Sequence, residues 1–270
     1  MTAKNQRIDL LLYEKGYFES REKARAAIMA GKIRINGKIA DKPGMSVPAE
    51  AKIEVMGGLP YVSRGGLKLE KALKSFDIDV TGRVVLDVGA STGGFTDCAL
   101  QNGAARVYAV DVGYGQLAWK LRTDPRVVTI ERMNIKNLKP EDLGCKPDFV
   151  TIDVSFISLE KIMPRIGLLV ESAARGVALI KPQFEAGRDK VGKKGVVKDP
   201  AVHREVVQRI CTMVEKNGWT VLGLDFSPVK GPEGNIEFLI FFDMSGPGLF
   251  NPSEIEHTVD RAHNETNGAK

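Results

Sequence analysis

Cysteine is scarce in this 270-residue chain, and the three present, Cys98, Cys145 and Cys211, stand far apart, with no Cys-x-x-Cys spacing and no histidine at ligand distance. That argues against a disulfide framework and against a zinc site, and reads the three as packing residues. No metal is expected. Long apolar runs are missing as well: nothing approaches the roughly 20 residues that a membrane-spanning helix needs. The start, MTAKNQRIDLLLYEKG, has neither the apolar stretch nor the small-residue cleavage site of a secretory leader. The expectation is a cytoplasmic protein with no membrane partner. Asn264 to Thr266 matches a glycosylation acceptor, a pattern too short to carry weight without a secreted context. Charge of one sign is not in great excess either. The formal net charge is +5, with 43% hydrophobic and 27% charged residues, an ordinary globular balance whose length suits one large domain and one small one.

The small charge excess is local. Residues 1–60 hold eleven Lys and Arg against seven Asp and Glu, which is four of the five net charges. Such a footprint suits nucleic acid, where phosphates attract clustered cations. RIDLLLYEKGYF has a short helical pattern, and Ser20 can cap a second helix, REKARAAIMA, that stops at Gly31. In that helix Ala24, Ala27 and Ile28 share one side, while Arg21 and Arg25 lie four apart on another. Ile33 and Ile35 then alternate with Lys32 and Arg34 before Asn36-Gly37, a strong hairpin-turn pair. With KPG and the strand-like AKIEVM, this stretch resembles the S4-type RNA-binding domain. The resemblance implies that Arg7, Ser20, Arg21, Arg25, Lys32, Arg34 and Lys38 face structured RNA, tracking backbone and shape more than sequence.

Gly57 to Pro60 punctuates the chain as a linker. Beyond it, RGGLKLEKALKSF reads as a helix with Leu67, Leu69, Leu73 and Phe76 as its apolar positions. Apolar strand candidates then alternate with helical stretches: RVVLDVGA, ARVYAVDVG, RVVTIERM, DFVTIDVS and GVALIKPQ. Repetition of this kind predicts a largely parallel sheet covered on both faces. After the helix AVHREVVQRICTMVEKNG, the strands WTVLGLDFSPV and IEFLIFFDM are separated only by KGPEGN. A connector this short predicts an antiparallel pair, because a parallel crossover needs a dozen residues or more. The expected fold class is α/β, a class I, Rossmann-like methyltransferase sheet ending in an antiparallel hairpin, behind a small α+β RNA-binding domain. The expected boundaries are 1–59 for the RNA-binding domain, 60–63 for a linker, 64–246 for the catalytic domain and 247–270 for a tail without assigned role.

In LDVGASTGGFTDCAL a strand runs to Asp87, a turn holds Gly89, Ser91, Thr92, Gly93 and Gly94, and a helix follows, so backbone can approach a ligand closely. Asp111, at the end of the next strand, is placed to accept from ribose hydroxyls. The spacing is not G-x-G-x-x-G, and the glycine turn alone admits NAD as well as S-adenosylmethionine. The terminal hairpin and the charged strand ends favour S-adenosylmethionine. Asp153 ends FVTID and Lys181 ends VALIK, both at the carboxyl edge where open α/β sheets bind ligands. Glu237 opens the reversed last strand, hence lies at that same edge, and Lys68 sits on the helix before the sheet.

SRGGLKLEKAL, LDVGASTGGFTDCAL, VTIDVSFISL, LIKPQFE, GVVKDP and KGPEGNIEFL together resemble the TlyA family, a branch of FtsJ-like ribose methyltransferases that carries the RNA-binding module in front. The resemblance implies methyl transfer from S-adenosylmethionine to the 2′-hydroxyl of cytidine in ribosomal RNA, within ribosomal subunits. It implies a catalytic set of Lys68, Asp153, Lys181 and Glu237, with Asp153 also beside the cofactor. A lysine serves as a base only where burial or a neighbouring cation loosens its proton, and Lys68 could be that cation. The two carboxylates oppose this, leaving Lys181 as either base or electrostatic stabiliser. Cytosine-carbon chemistry needs a Pro-Cys that is absent, and exocyclic-amine chemistry an Asn/Asp-Pro-Pro-aromatic turn where this chain has DVSF. The loop EAGRDKVGKKGVV adds Arg188, Lys190, Lys193 and Lys194 as candidate phosphate contacts. The rival functions are a ribosome-assembly factor without catalysis and, from a name the family carries, a membrane-active haemolysin.

Overall fold

The computed structural model describes residues 5–15, 17–18, 20–29, 31–40, 42–56 and 60–268. The chain divides into two units, Met1–Pro60 and Tyr61–Lys270. In the first, β1 (Asn5–Arg7) leads into α1 (Ile8–Glu14) and α2 (Arg21–Met29), followed by β2 (Ile33–Ile35), β3 (Lys38–Ile39), β4 (Ser46–Pro48) and β5 (Ile53–Val55). Strand β2 lies between β3 and β5, antiparallel to both, and β1 pairs with β4. The Asn-Gly pair makes the expected turn: both residues have left-handed φ, +49° and +80°, which matches the twist of the flanking strands. The Ser20 hydroxyl accepts from Lys23 N at 3.2 Å and so caps α2. Ile8, Leu11, Leu12, Ala24, Ile28 and Ile33 close a small core of their own.

The second unit runs α3 (Gly65–Ser75), β6 (Val84–Val88), α4 (Gly94–Gln101), β7 (Arg106–Val110), α5 (Trp119–Arg122), β8 (Val127–Ile130), β9 (Phe149–Ile152), α6 (Met163–Leu169), β10 (Arg175–Ile180), α7 (Pro182–Glu185), α8 (Pro200–Lys216), β11 (Thr220–Phe226), β12 (Phe238–Asp243) and α9 (Ser253–Gly268). The seven strands lie in the order β11-β12-β10-β9-β6-β7-β8. Strand β12 inserts between β10 and β11, antiparallel to both, and the other described pairings are parallel. The strands are apolar without alternation because both faces are covered. Val107 and Ala109 pack on the side of α3 and α4, whereas Tyr108 and Val110 pack on the side of α6 and α8.

Three regions carry detail beyond the sequence reading. Gly57 to Leu59 of the expected linker lie outside the described residues, but Tyr61 is buried in the second unit's core and Val62 N donates to Asp97 Oδ2 at 2.8 Å. The unassigned tail forms α9, whose Ile255, Val259 and Ala262 complete the core beside α8 and β11. Cys98 and Cys211 are packing residues with thiols that burial pushes up to about 12, whereas Cys145 is exposed, its thiol 3.5 Å from the Tyr108 hydroxyl. No described helix is long and apolar enough to cross a membrane.

Candidate active site and nucleic-acid interface

The strand order reverses direction at β6, and the crevice beyond its carboxyl end is where an open α/β sheet takes a ligand. Gly89 makes the first bend there with φ +86°, and a Cβ at this position would stand 2.5 Å from the Asp153 carbonyl. Only glycine therefore lets β6 and β9 end side by side. Gly93, at φ +94°, starts α4 and leaves no space for a side chain against Leu121. Asp111 closes the turn from the neighbouring strand, Oδ2 accepting from Ser91 N at 2.8 Å and Oδ1 from Gly113 N at 2.6 Å. Each oxygen keeps a further lone pair for a ligand hydroxyl.

Asp87, among the expected cofactor contacts, lies behind the turn. It is fully buried, accepts the Thr96 hydroxyl at 2.6 Å and the Thr151 hydroxyl at 2.9 Å, and borders neither cavity described below. Burial pushes its carboxyl up to about 6 against those two hydroxyls. Its work is to tie β6 to α4 and β9 from behind the turn.

Two cavities meet at Gly89, Ser91, Asp153, Ser155 and Phe156. One, about 500 Å³, is walled by Val110, Met133, Ile135 and Ile157, with Asp111, Gln116 and Asn134 as polar groups. The other, about 590 Å³, takes in Lys68, Thr92, Gly94, Lys181, Gln183, Lys194 and Glu237. Ile180 faces Phe238 across the antiparallel ladder, which brings the next residue of β10, Lys181, and the preceding residue of β12, Glu237, to one edge. The four charges form an alternating chain. Glu237 Oε2 lies 2.6 Å from Lys68 Nζ, which lies 3.8 Å from Asp153 Oδ2, and Asp153 Oδ1 lies 2.5 Å from Lys181 Nζ. Lys68, Lys181 and Glu237 are buried, so pairing two cations with two anions is what makes the cluster tolerable away from water.

Sequence reasoning missed several lining residues. Ser155 Oγ accepts from Lys181 Nζ at 3.0 Å, and Gln183 Nε2 donates to Glu237 Oε1 at 3.3 Å. Phe156 is 89% exposed with φ +63°, its ring 4.8 Å from that of Phe184. An exposed aromatic in a strained conformation at a cavity rim is a candidate binding position. The signal was present in DVSF, where an aromatic residue closely follows the strand-end acid.

The basic loop after β10 is held at several points. Arg188 and Lys193 are exposed, Lys190 pairs with Glu205, and Lys194 borders the larger cavity. Val197 N donates to Asn235 Oδ1 at 3.1 Å, and Asn235 Nδ2 donates to Gly195 O at 2.9 Å. From behind, His203 Nε2 donates to Val197 O at 3.2 Å, which leaves Nδ1 to accept from His263 Nε2 at 2.9 Å. Burial, followed by the nearby His263, pushes the His203 imidazole down to about 4. Between its ordinary 6.5 and about 4, the unfolded chain therefore binds a proton that the folded protein refuses, and stability falls as the pH drops through this window. Asp87 acts in the opposite sense between 3.8 and about 6, where the folded carboxyl keeps a proton that the unfolded one releases. The expected result thus lies in a difference. His203→Gln should remove a slope on the order of 1 kcal/mol per pH unit, so its melting temperature falls less than that of the parent between pH 6.5 and 4.5. Parallel melting curves across that range would exclude this account.

On the first unit, Arg7, Arg21, Arg25, Lys32 and Lys38 are solvent-accessible and Arg34 is half-buried. Ser20, also half-buried, uses its hydroxyl oxygen as the acceptor that caps α2.

A parallel sheet with one reversed strand next to its edge, a glycine turn at the switch point, and a charged cleft beside it define a methyltransferase-type α/β domain. The FtsJ-like methyltransferase family model matches residues 61–244, and an S4 domain model matches residues 6–53. YqxC of Bacillus subtilis, provisionally named an rRNA methyltransferase, is 51% identical over 97% of this chain and 96% of its own. The 16S/23S rRNA (cytidine-2'-O)-methyltransferase TlyA of Mycobacterium tuberculosis is 43% identical over 97% of this chain and 99% of its own. A solved structure from Streptococcus thermophilus, provisionally named a hemolysin, is 44% identical and superposes with a TM-score of 0.78, covering 99% of this chain and 98% of that one. The chain belongs to the FtsJ-like methyltransferase family, in its TlyA branch.

Proposed function

We propose that this protein transfers the methyl group of S-adenosylmethionine to a ribose 2′-hydroxyl of cytidine in ribosomal RNA. The observation that carries the reading is the alternating chain Glu237, Lys68, Asp153 and Lys181 at the junction of two cavities, in a chain that is like the rRNA cytidine methyltransferase TlyA over nearly its whole length. The smaller cavity fits a nucleoside: apolar walls for a flat base, and Asp111 and Asn134 for hydroxyl and ring-edge hydrogen bonds. The Asp153 carboxylate at the seam suits a cofactor with a positive centre better than one with a pyrophosphate. S-adenosylmethionine supplies there an already activated methyl group on a sulfonium. The chain's own residues then have to align the hydroxyl and take care of its proton and developing charge.

Lys181 can do this with one donor to spare. Its ammonium has three N–H groups, Ser155 accepts from one while the Asp153 carboxylate pairs with the charge, and another N–H can reach a ribose oxygen in the larger cavity. The reading that the ion pairs favour is a charged Lys181 stabilising the oxyanion as its proton departs, with Lys68 and Glu237 fixing Asp153 and so the lysine. Phe156 and Phe184 offer an aromatic face on which a nucleotide turned out of its stack can rest. Lys194, on the rim, is placed for a phosphate. A ribosomal substrate places the enzyme in the cytoplasm. No observation on the described residues carries a second reading from the hemolysin name.

The test is incubation of purified protein, methyl-labelled S-adenosylmethionine and each ribosomal subunit, followed by alkaline hydrolysis of the RNA. The expected product is an alkali-resistant dinucleotide with labelled cytidine ribose. Label in a base, or no label in RNA of either subunit, would overturn the reading.

A further inference from the structure

The first unit, whose net charge is basic, buries one acid completely. Asp9, in the first turn of α1, has no contact with solvent, and two arginines from separate elements share its oxygens. Arg7 grips it as a fork, Nε to Oδ1 at 3.0 Å and Nη2 to Oδ2 at 3.1 Å, and Arg21 at the start of α2 donates Nη2 to Oδ2 at 2.9 Å. Leu10 N donates to Oδ1 at 3.0 Å and so orients the carboxylate itself. Hydrogen bonds from Arg7, and then from Arg21, hold the Asp9 carboxyl at about 2, so the anion persists through any working pH. Both guanidiniums nonetheless remain open to solvent, with side-chain exposures of 54% and 45%. Of five N–H donors each, Arg7 uses two on Asp9 and Arg21 one.

We infer that Asp9 is a positioning residue for RNA, holding Arg7 and Arg21 side by side as a pre-set pair of guanidiniums for neighbouring phosphates of a folded strand. The inference rests on the reading of this unit as an RNA-binding S4 domain. Arginine side chains lose rotamer freedom when they bind, and ordering them beforehand removes that loss from the binding step. A fork clamped in plane also keeps the bidentate geometry that a phosphate requires. Asp9 would thus raise affinity for a polyanion although it is itself an anion.

That sign separates positioning from bulk electrostatics. Asp9→Asn removes a negative charge, so charge alone predicts tighter RNA binding. Positioning predicts that the full-length variant binds a structured ribosomal RNA fragment about tenfold more weakly and that KM for the ribosomal substrate rises, while kcat and S-adenosylmethionine affinity stay unchanged. Equal or tighter RNA binding would overturn the inference. Arg7→Ala is the control for the underlying reading: if it leaves RNA affinity unchanged, the RNA-binding assignment of this face fails. If it weakens binding and Asp9→Asn does not, only the positioning role fails. With Arg7 and Arg21 both changed to Ala, Asp9→Asn should have no further effect on RNA affinity, whereas an acid that merely stabilises the unit would still lower it. Should Asp9→Asn not fold, the parent protein answers alone. Nitrogen relaxation at Nε of Arg7 and Arg21 should show restricted motion without RNA, and motion as free as that of exposed Arg25 would overturn the inference.

Discussion

Lys181→Ala should lower methyl transfer by about 10²–10⁴-fold, the range typical of losing a general base or a preorganised donor to an oxyanion, with little change in cofactor or RNA affinity. The expectation follows from place. Lys181 is 8% exposed, ends β10, and is the member of the charged chain engaged by Asp153 and Ser155 on one side and by the larger cavity on the other. Its removal leaves Asp153 with Lys68 at 3.8 Å, so the acid is not stranded and a folded variant is expected. Lys181→Arg distinguishes the two roles, because arginine keeps a cation and donors but cannot release a proton at working pH. Activity at least tenfold above that of the alanine variant is the expected result and establishes charge stabilisation. An arginine variant as inactive as alanine would favour proton abstraction. Parent-level activity in Lys181→Ala would remove the lysine from the mechanism altogether.

Deleting residues 1–60 should abolish methylation of ribosomal RNA while S-adenosylmethionine still binds with parent affinity. The cut follows the division of the chain into two units, and both cavities are lined only by residues beyond it. The second unit has its own two-faced core and starts from a buried Tyr61, so it should fold without the first. The first unit carries most of the net charge, and each phosphate it no longer neutralises should flatten the dependence of log affinity on log salt by about one. Calorimetry with S-adenosylmethionine and RNA binding at several salt concentrations would separate the two effects. A parallel loss of cofactor affinity would mean that the first unit completes the cofactor site.

Much of the charged cleft is legible in the amino-acid sequence. Asp153 and Lys181 stand at the ends of strands whose apolar runs mark them as buried, and the KGPEGN connector is too short for a crossover, so Glu237 has to return to the same edge. Other residues give no such cue. Asp87 looks like a ligand contact because it closes a strand before glycines, yet Thr96 and Thr151 draw it into the interior. Asn235 carries no periodicity or spacing that marks it, and acquires its role from a loop forty residues earlier in the chain.

By itself, the sequence determined the main strands and helices, the two-part organisation, the glycine turn and the strand-end places of Asp153, Lys181 and Glu237. Each of these depends on local rules: side-chain period, turn chemistry, helix caps and the reach of a short connector. Only the tertiary structure decided that β12 inserts between β10 and β11, that α9 joins the core, that the four charges alternate along one line, and that Asp9 binds two arginines from different elements. Those outcomes depend on which distant surfaces exclude water together and which buried charges find partners, and neither leaves a pattern within a short stretch of chain.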